Sequence, residues 1–356
     1  DFKPNPLYED GHMAYFKTHY YGGIKKYQWT TIPLAIHGIV ALQDGTQIPI
    51  YIGEDEGDPV FVITDLLPHL AQDQMQKKAS EFIAGESLNL VAGNIESDDK
   101  DAKEKVKYNI LKALNEKYDI VEEDFVSAEI EVVPAFKARD LGIDRSMVAA
   151  YGQDDRVCAY TALRAILDVK KPDKTAVCLL VDKEEVGSMG NTGMQSKNFE
   201  NVMAKIVAKL SPSYSELNLR ETIANSTCLS ADVSSALDPN FAEVSEKRNS
   251  AVVNGGLALT KYTGSRGKGG ANDASAELMA SVRRIFNENN VKWQVCELGK
   301  VDCGGGGTIA QFVANMGMEV VDCGVALLSM HAPYEVAGKL DVYMAYKGYK
   351  AFFEKN

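Results

Sequence analysis

The sequence is poor in histidine, has no closely paired cysteines and lacks long apolar runs. No apolar run approaches the roughly 20 residues of a membrane span. A net charge of −12, with no polybasic tract, argues against nucleic acid and anionic lipid as partners, since both demand a basic footprint. The six cysteines (158, 178, 228, 296, 303 and 323) form no CxxC pair. That pattern argues against a disulfide framework or a thiolate zinc site and predicts free thiols in a reducing compartment, by default the cytoplasm. No GxSxG occurs, so a nucleophile-elbow hydrolase is poorly supported. Internal repeats and low-complexity tracts are absent too. The first residue is Asp1, and DFKPNPLYED reads as a chain already under way, so further residues are expected upstream.

What is present is a 356-residue chain with 45% apolar and 25% charged residues, enough for two domains or one domain with an insertion. Residues 20–95 read as short strands, among them Thr31–Leu42, Gln47–Ile52 and Pro59–Ile63, separated by Gly, Asp and Asn. Val106, Ile110, Leu111, Leu114 and Ile120 fall close to helical spacing, and residues 127–136 read as a strand. From about residue 140 helices and strands alternate. Helices are expected at Val157–Val169, Phe199–Leu210, Asp273–Asn289, from Thr308 and from Val342. Strands are expected at Ala176–Val181, Ser226–Val233, Trp293–Glu297 and Glu319–Leu328. The pattern predicts an α/β fold with a mostly parallel sheet flanked by helices, beside a β-rich module.

Acids and one histidine gather at the element boundaries of the α/β part. TAVCLLVDKEEVGS ends an apolar run on Glu184 and Glu185, GQDDRVCAY sets Asp154 and Asp155 before a helix, LSADVSSALDPN places Asp232 at a strand end, and VALLSMHAPYE places His331 after a strand. Each has a plainer reading: a solvated pair for the glutamates, an N-cap for Asp154, a turn for Asp232, a half-buried histidine for His331. Together they match a hydrolytic metal site, because adjacent carboxylates are costly without a cation and zinc takes imidazole and carboxylate. Among five histidines (12, 19, 37, 69 and 331), only His331 falls in the α/β part, one short of a histidine for each of two metals. A competing pattern is the glycine run Gly304–Gly307 followed by an acid-ended strand at Asp322, which imitates a dinucleotide-binding turn. A non-catalytic assembly protein is a further alternative.

The motifs DDRVCA, DKEEVGS, LSADVSSALDPNF, GTI and SMHAPYE, in that order, together with YYGGI and LPHLA, resemble the aspartyl aminopeptidases and their bacterial relatives. The resemblance covers nearly the whole chain. It implies a zinc-exopeptidase-like domain over residues 1–15 and 131–356, with a β-rich dimerisation domain inserted at 16–130. It also implies two divalent metal ions, zinc first with cobalt or manganese acceptable, peptide substrates, and a homo-oligomer that is a dodecamer built from dimers. Carried over, Asp154 bridges the metals, Glu185 ligates one, Asp232 and His331 ligate the other, and Glu184 is the general base toward an activated water. A second histidine ligand is implied upstream of Asp1. Arg266, Lys268 and Gly305 fall on the substrate side, the basic pair suiting acidic N-terminal residues. Ser235, Asp238, Gln72 and Asp73 stand where animal members carry histidines, which leaves neutral residues such as Leu open as substrates.

Overall fold

The computed structural model describes residues 1–355. The chain forms two compact units, Asp1–Lys137 with His331–Pro333, and Ala138–Met330 with Tyr334 onward.

The first unit contains strands β1 (Phe2–Asp10), β2 (Met13–Thr18), β3 (Leu34–Ala41) and β4 (Gln47–Ile52), short helices α1 (Gln72–Met75) and α2 (Ala79–Phe82), strand β5 (Asn89–Gly93), helix α3 (Lys105–Tyr118) and strand β6 (Ala128–Pro134). Gly11 and His12, both at positive φ, make the two-residue turn that matches the twist of the β1–β2 hairpin. Two antiparallel sheets result, ordered β1-β2-β5 and β4-β3-β6. Leu7, Phe16, Leu34, Ile36, Leu90 and Ile130 meet in their core, and the apolar face of α3 packs on it through Val106 and Ile110. Glu9 on β1 caps α3, accepting from Val106 N at 2.9 Å and Lys107 N at 3.1 Å, where the helix leaves its N–H groups unpaired. The expected strand at Pro59–Ile63 is reduced to a single bridge between Phe61 and Leu34. The compact units divide after Lys137 rather than at 130, and β1 falls in the first unit because it pairs with β2.

The second unit is α/β. It runs β7 (Arg139–Leu141), β8 (Met147–Ala150), α4 (Gln153–Leu167), α5 (Asn198–Leu210), α6 (Glu216–Ala224), β9 (Thr227–Ser230), β10 (Ser234–Ser235), β11 (Leu257–Thr260), α7 (Ala276–Glu288), β12 (Trp293–Val295), α8 (Ala310–Ala314), β13 (Glu319–Gly324), β14 (Ala326–Leu328), β15 (Glu335–Gly338) and α9 (Lys339–Lys355). Its sheets are ordered β10-β14-β15-β8-β7 and β12-β11-β13-β9. They are mixed rather than mostly parallel: β9·β13, β10·β14 and β11·β12 run parallel, while β14, β15, β8 and β7 follow one another antiparallel and β11·β13 is antiparallel. The six residues between β14 and β15 permit only a hairpin return, which reverses the strand direction. Leu257, Leu259, Phe286, Val321, Leu327, Tyr349 and Phe352 form the main core between these sheets and helices α7 and α9.

Two departures bear on the site. The run Glu319–Leu328 is divided at Val325, β13 belonging to one sheet and β14 to the other, and its parallel partner divides in the same way into β9 and β10. Gly324 allows this crossing, since a Cβ there would lie 1.8 Å from the carbonyl oxygen of Asp232. The expected strand Ala176–Val181 is irregular; Leu179 and Leu180 are 42% and 54% exposed. Among the described residues its end makes one bridge, Asp182 with Gly193, so its β-branched residues have no ladder to join.

Candidate active site

Asp154 is delivered by a deformed helix start. After β8 the chain turns at Gly152 (φ 68°), and Asp154 and Asp155 have non-helical backbones joined by a cis peptide. N–H groups at this start find side-chain acceptors: Asp154 N donates to Glu335 Oε2 at 3.1 Å and Cys158 N to Asp155 Oδ1 at 3.4 Å. Gln153 Nε2 donates to the carbonyls of Val148 and Glu335 at 3.2 and 2.7 Å.

Glu184 and Glu185 sit on a 3-10 turn, Glu184–Val186, between two left-handed residues, Lys183 (φ 68°) and Gly187 (φ 97°). Ser188 N closes the loop onto Lys183 O at 2.7 Å. Asp232 occupies the kink between β9 and β10. His331 lies on the β14–β15 turn, where Ser329 (φ 58°) and His331 itself (φ 63°) hold left-handed conformations uncommon outside glycine.

Asp154, Glu185 and His331 each offer a ligand atom, all within 4.8 Å of one another; Asp154, Asp155 and Asp232 do the same. Asp154 is common to both groups. The grouping differs from the one the resemblance implies, since His331 accompanies Glu185 rather than Asp232. Burial, then the nearby charges of Asp155, Glu184 and Asp154, holds the Asp232 carboxyl well above its ordinary range. Burial, with Asp154 and Glu184 close by, pushes Asp155 up to about 8. So many acids stay ionised together only against a cation, and two carboxylates with an imidazole in one group, beside three carboxylates in the other, suit zinc. The residues present therefore fit a metal.

The expected substrate-side residues lie on paired loops. Ser265 and Gly269 exchange two backbone hydrogen bonds at the base of the Arg266–Lys268 tip. Lys268 Nζ is held 2.7 Å from Asp273 and 4.3 Å from the centre of the Tyr262 ring, so its charge is already partnered, whereas Arg266 leads the same tip. A Cβ on Gly305 would lie 2.2 Å from Gly264 O, and Gly264 N donates to Gly306 O at 2.7 Å. The glycine run is thus glycine because another loop passes against it. A turn at 301–303 precedes it instead of a strand, and the five-residue α8 starts only at Ala310, so the dinucleotide-binding alternative fails on geometry.

Residues given no role by the sequence also stand here: Asp155, noted only for its adjacency to Asp154, and Glu335, four residues past His331. Asp322, read in the sequence only as part of the dinucleotide-like pattern, is buried on β13; Thr308 Oγ1 donates to its Oδ1 at 2.5 Å, while its Oδ2 is buried without a hydrogen-bond partner. Burial raises Asp322 from 3.8 to about 6. The unfolded carboxyl ionises first, so stability falls as pH rises from about 4 to about 6. Asp322→Asn is neutral throughout and is expected to flatten that part of the pH profile, gaining on the order of 3 kcal/mol at pH 7. Denaturant melts at pH 4.5 and 7 check this, and an unchanged pH slope would contradict it.

Residues 1–353 match the family model described as Aminopeptidase I zinc metalloprotease (M18). The chain belongs to the M18 aminopeptidase family. A Clostridium acetobutylicum protein described as "Probable M18 family aminopeptidase 1" is 59% identical over 352 residues, 99% of this chain and 76% of that protein. The crystal structure of an M18 aminopeptidase from Thermotoga maritima superposes with a TM-score of 0.96 at 52% identity, covering 100% of this chain and 78% of that one. The yeast mApe1 dodecamer shares the fold at 22% identity, with a TM-score of 0.77 over 99% of this chain and 76% of that one. As an M18 member the protein is an aminopeptidase of the zinc metalloprotease class, removing N-terminal residues. No described helix is long and apolar enough to cross a membrane.

Proposed function

We propose that Asp154, Glu185 and His331 hold one divalent ion and that Asp154 and Asp232, with Asp155 beside them, hold a second. The observation that carries this reading is the sharing of Asp154 between two ligand groups. Zinc is the first candidate; cobalt and manganese accept the same donors. When bound, such a pair of ions supplies Lewis acidity, lowering the pKa of water and polarising a carbonyl. The chain's own part is then assigned as follows. Glu184 belongs to neither ligand group, sits half-buried beside them and takes the proton from the attacking water as general base. Gly305 and the loop it packs against flank the substrate, with Arg266 receiving an acidic side chain. The second unit, with His331 of the β14–β15 turn, carries the chemistry, and residues 1–137 serve assembly. By analogy with the dodecameric yeast relative, the oligomer is a homododecamer built from dimers. The six unpaired cysteines suit a cytoplasmic setting.

The experiment is a panel of Asp-, Glu- and Leu-linked chromogenic substrates on wild type and Arg266→Ala. A hydrogen bond to a charged partner is worth roughly 1.5–3 kcal/mol. Arg266→Ala is therefore expected to lower kcat/KM for the acidic substrates about tenfold or more while leaving the Leu substrate within about twofold. Equal loss on all three substrates would remove Arg266 from the selection of acidic residues.

A further inference from the structure

We infer that Glu335 is a positioning residue for the metal centre, fixing the backbone of Asp154 through a buried hydrogen-bond acceptor. The inference rests on the metal-site reading above and adds a residue to it. Glu335 is 2% exposed and lies on β15, opposite Ala150 of β8. That register places it beside the deformed start of α4, which it grips twice. Its carboxylate accepts from Asp154 N at 3.1 Å, and its main-chain carbonyl accepts from Gln153 Nε2 at 2.7 Å. Gln153 is tied back to Val148 on the same strand pair at 3.2 Å. Four residues earlier the same chain segment carries His331. Glu335 thus joins the strand that follows one ligand to the residue common to both ligand groups.

An acid in this place needs a reason, because burying a carboxylate is costly and an apolar residue would pack a sheet–helix junction at lower cost. The reason lies in the backbone. Asp154 is the second residue of α4, in the first turn, where a helix leaves its N–H groups without a carbonyl four residues back, so its N–H needs an acceptor reaching in from outside. The five-atom reach of a Glu from β15 meets that N–H. Partners one step removed from a metal typically change its affinity 10- to 100-fold when altered.

Reach and charge can be separated. Glu335→Gln keeps an acceptor oxygen at the same distance and removes the charge. Glu335→Asp keeps the charge and withdraws the acceptor by one methylene. Zinc dissociation constants, measured by competition with a chromophoric chelator, are expected to stay within about threefold of wild type for the Gln variant and to rise about 10- to 100-fold for the Asp variant. A purely electrostatic role predicts the reverse order. Wild-type affinity in Glu335→Asp, or loss in Glu335→Gln equal to or greater than that in Glu335→Asp, would overturn the inference. Should the Asp variant not fold, hydrogen exchange of peptides spanning residues 152–157 in wild type and Glu335→Gln takes its place: equal protection is expected, and lost protection in the Gln variant would overturn it. Wild-type protein that binds no zinc would defeat the metal reading and this inference with it, whereas wild-type binding with an unaffected Asp variant defeats the inference alone.

Discussion

Glu184→Gln is expected to bind zinc like wild type and to turn over peptides about a hundredfold to ten-thousandfold more slowly, the span that general base catalysis supplies. The substitution keeps shape and hydrogen-bonding reach and removes the negative charge and, with it, the ability to take a proton. Glu184 stands on the same one-turn helix as Glu185 but offers no ligand atom to either acidic group, whereas Glu185 does. Loss of the Glu184 carboxylate also removes one of the like charges acting on Asp155 and Asp232. Metal affinity should thus be little changed. Glu185→Gln should behave in the opposite sense, losing metal first and activity as a consequence. The check is metal content by plasma mass spectrometry beside steady-state rates. Metal-free Glu184→Gln together with metal-loaded Glu185→Gln would exchange the roles of the two residues.

The helices were the most legible part of the sequence. α4, α5, α7 and α9 lie within a few residues of the spans their apolar spacing predicts, because an amphipathic stripe buried against a sheet is a local property of the sequence. Strands were less so. Ala176–Val181 has every strand preference and no ladder in the structure, since a strand exists only through its partners. Glu319–Leu328 reads as one apolar run, yet the crossing at Gly324 divides it between two sheets, and only the proximity of Asp232 O reveals why a glycine stands there. The site follows the same division. Asp154, Glu185, Asp232 and His331, whose ligand atoms the structure brings into two groups, were legible as candidates because acids and histidine at strand and helix ends carry a chemical cost that suggests a purpose. Glu335 was not, because its proposed role depends on the register between β15 and β8 and on the backbone N–H of Asp154, which the first turn of α4 leaves without a helical acceptor. The run Gly304–Gly307 misled for a related reason: close approach of two loops and approach to a phosphate both demand the missing Cβ.

Removal of metal is the second large effect. Asp154, Asp155 and Asp232 hold ligand atoms within 4.8 Å of one another, and their mutual repulsion and burial are relieved by a cation. Metal binding therefore also stabilises the fold by mass action, by about 4 kcal/mol at a free concentration a thousand times the dissociation constant. Removal of metal would take away the Lewis acidity on which the proposed base Glu184 would depend, and activity should fall by at least about a thousandfold, in keeping with the role such ions play in peptide hydrolysis. The most direct measurement is the rate of release of N-terminal residues from Asp-, Glu- and Leu-linked substrates, before and after exhaustive chelation and again after zinc is returned. Loss of activity on every substrate is expected, then recovery as zinc approaches two equivalents per chain. Activity that survives complete removal of metal would contradict it.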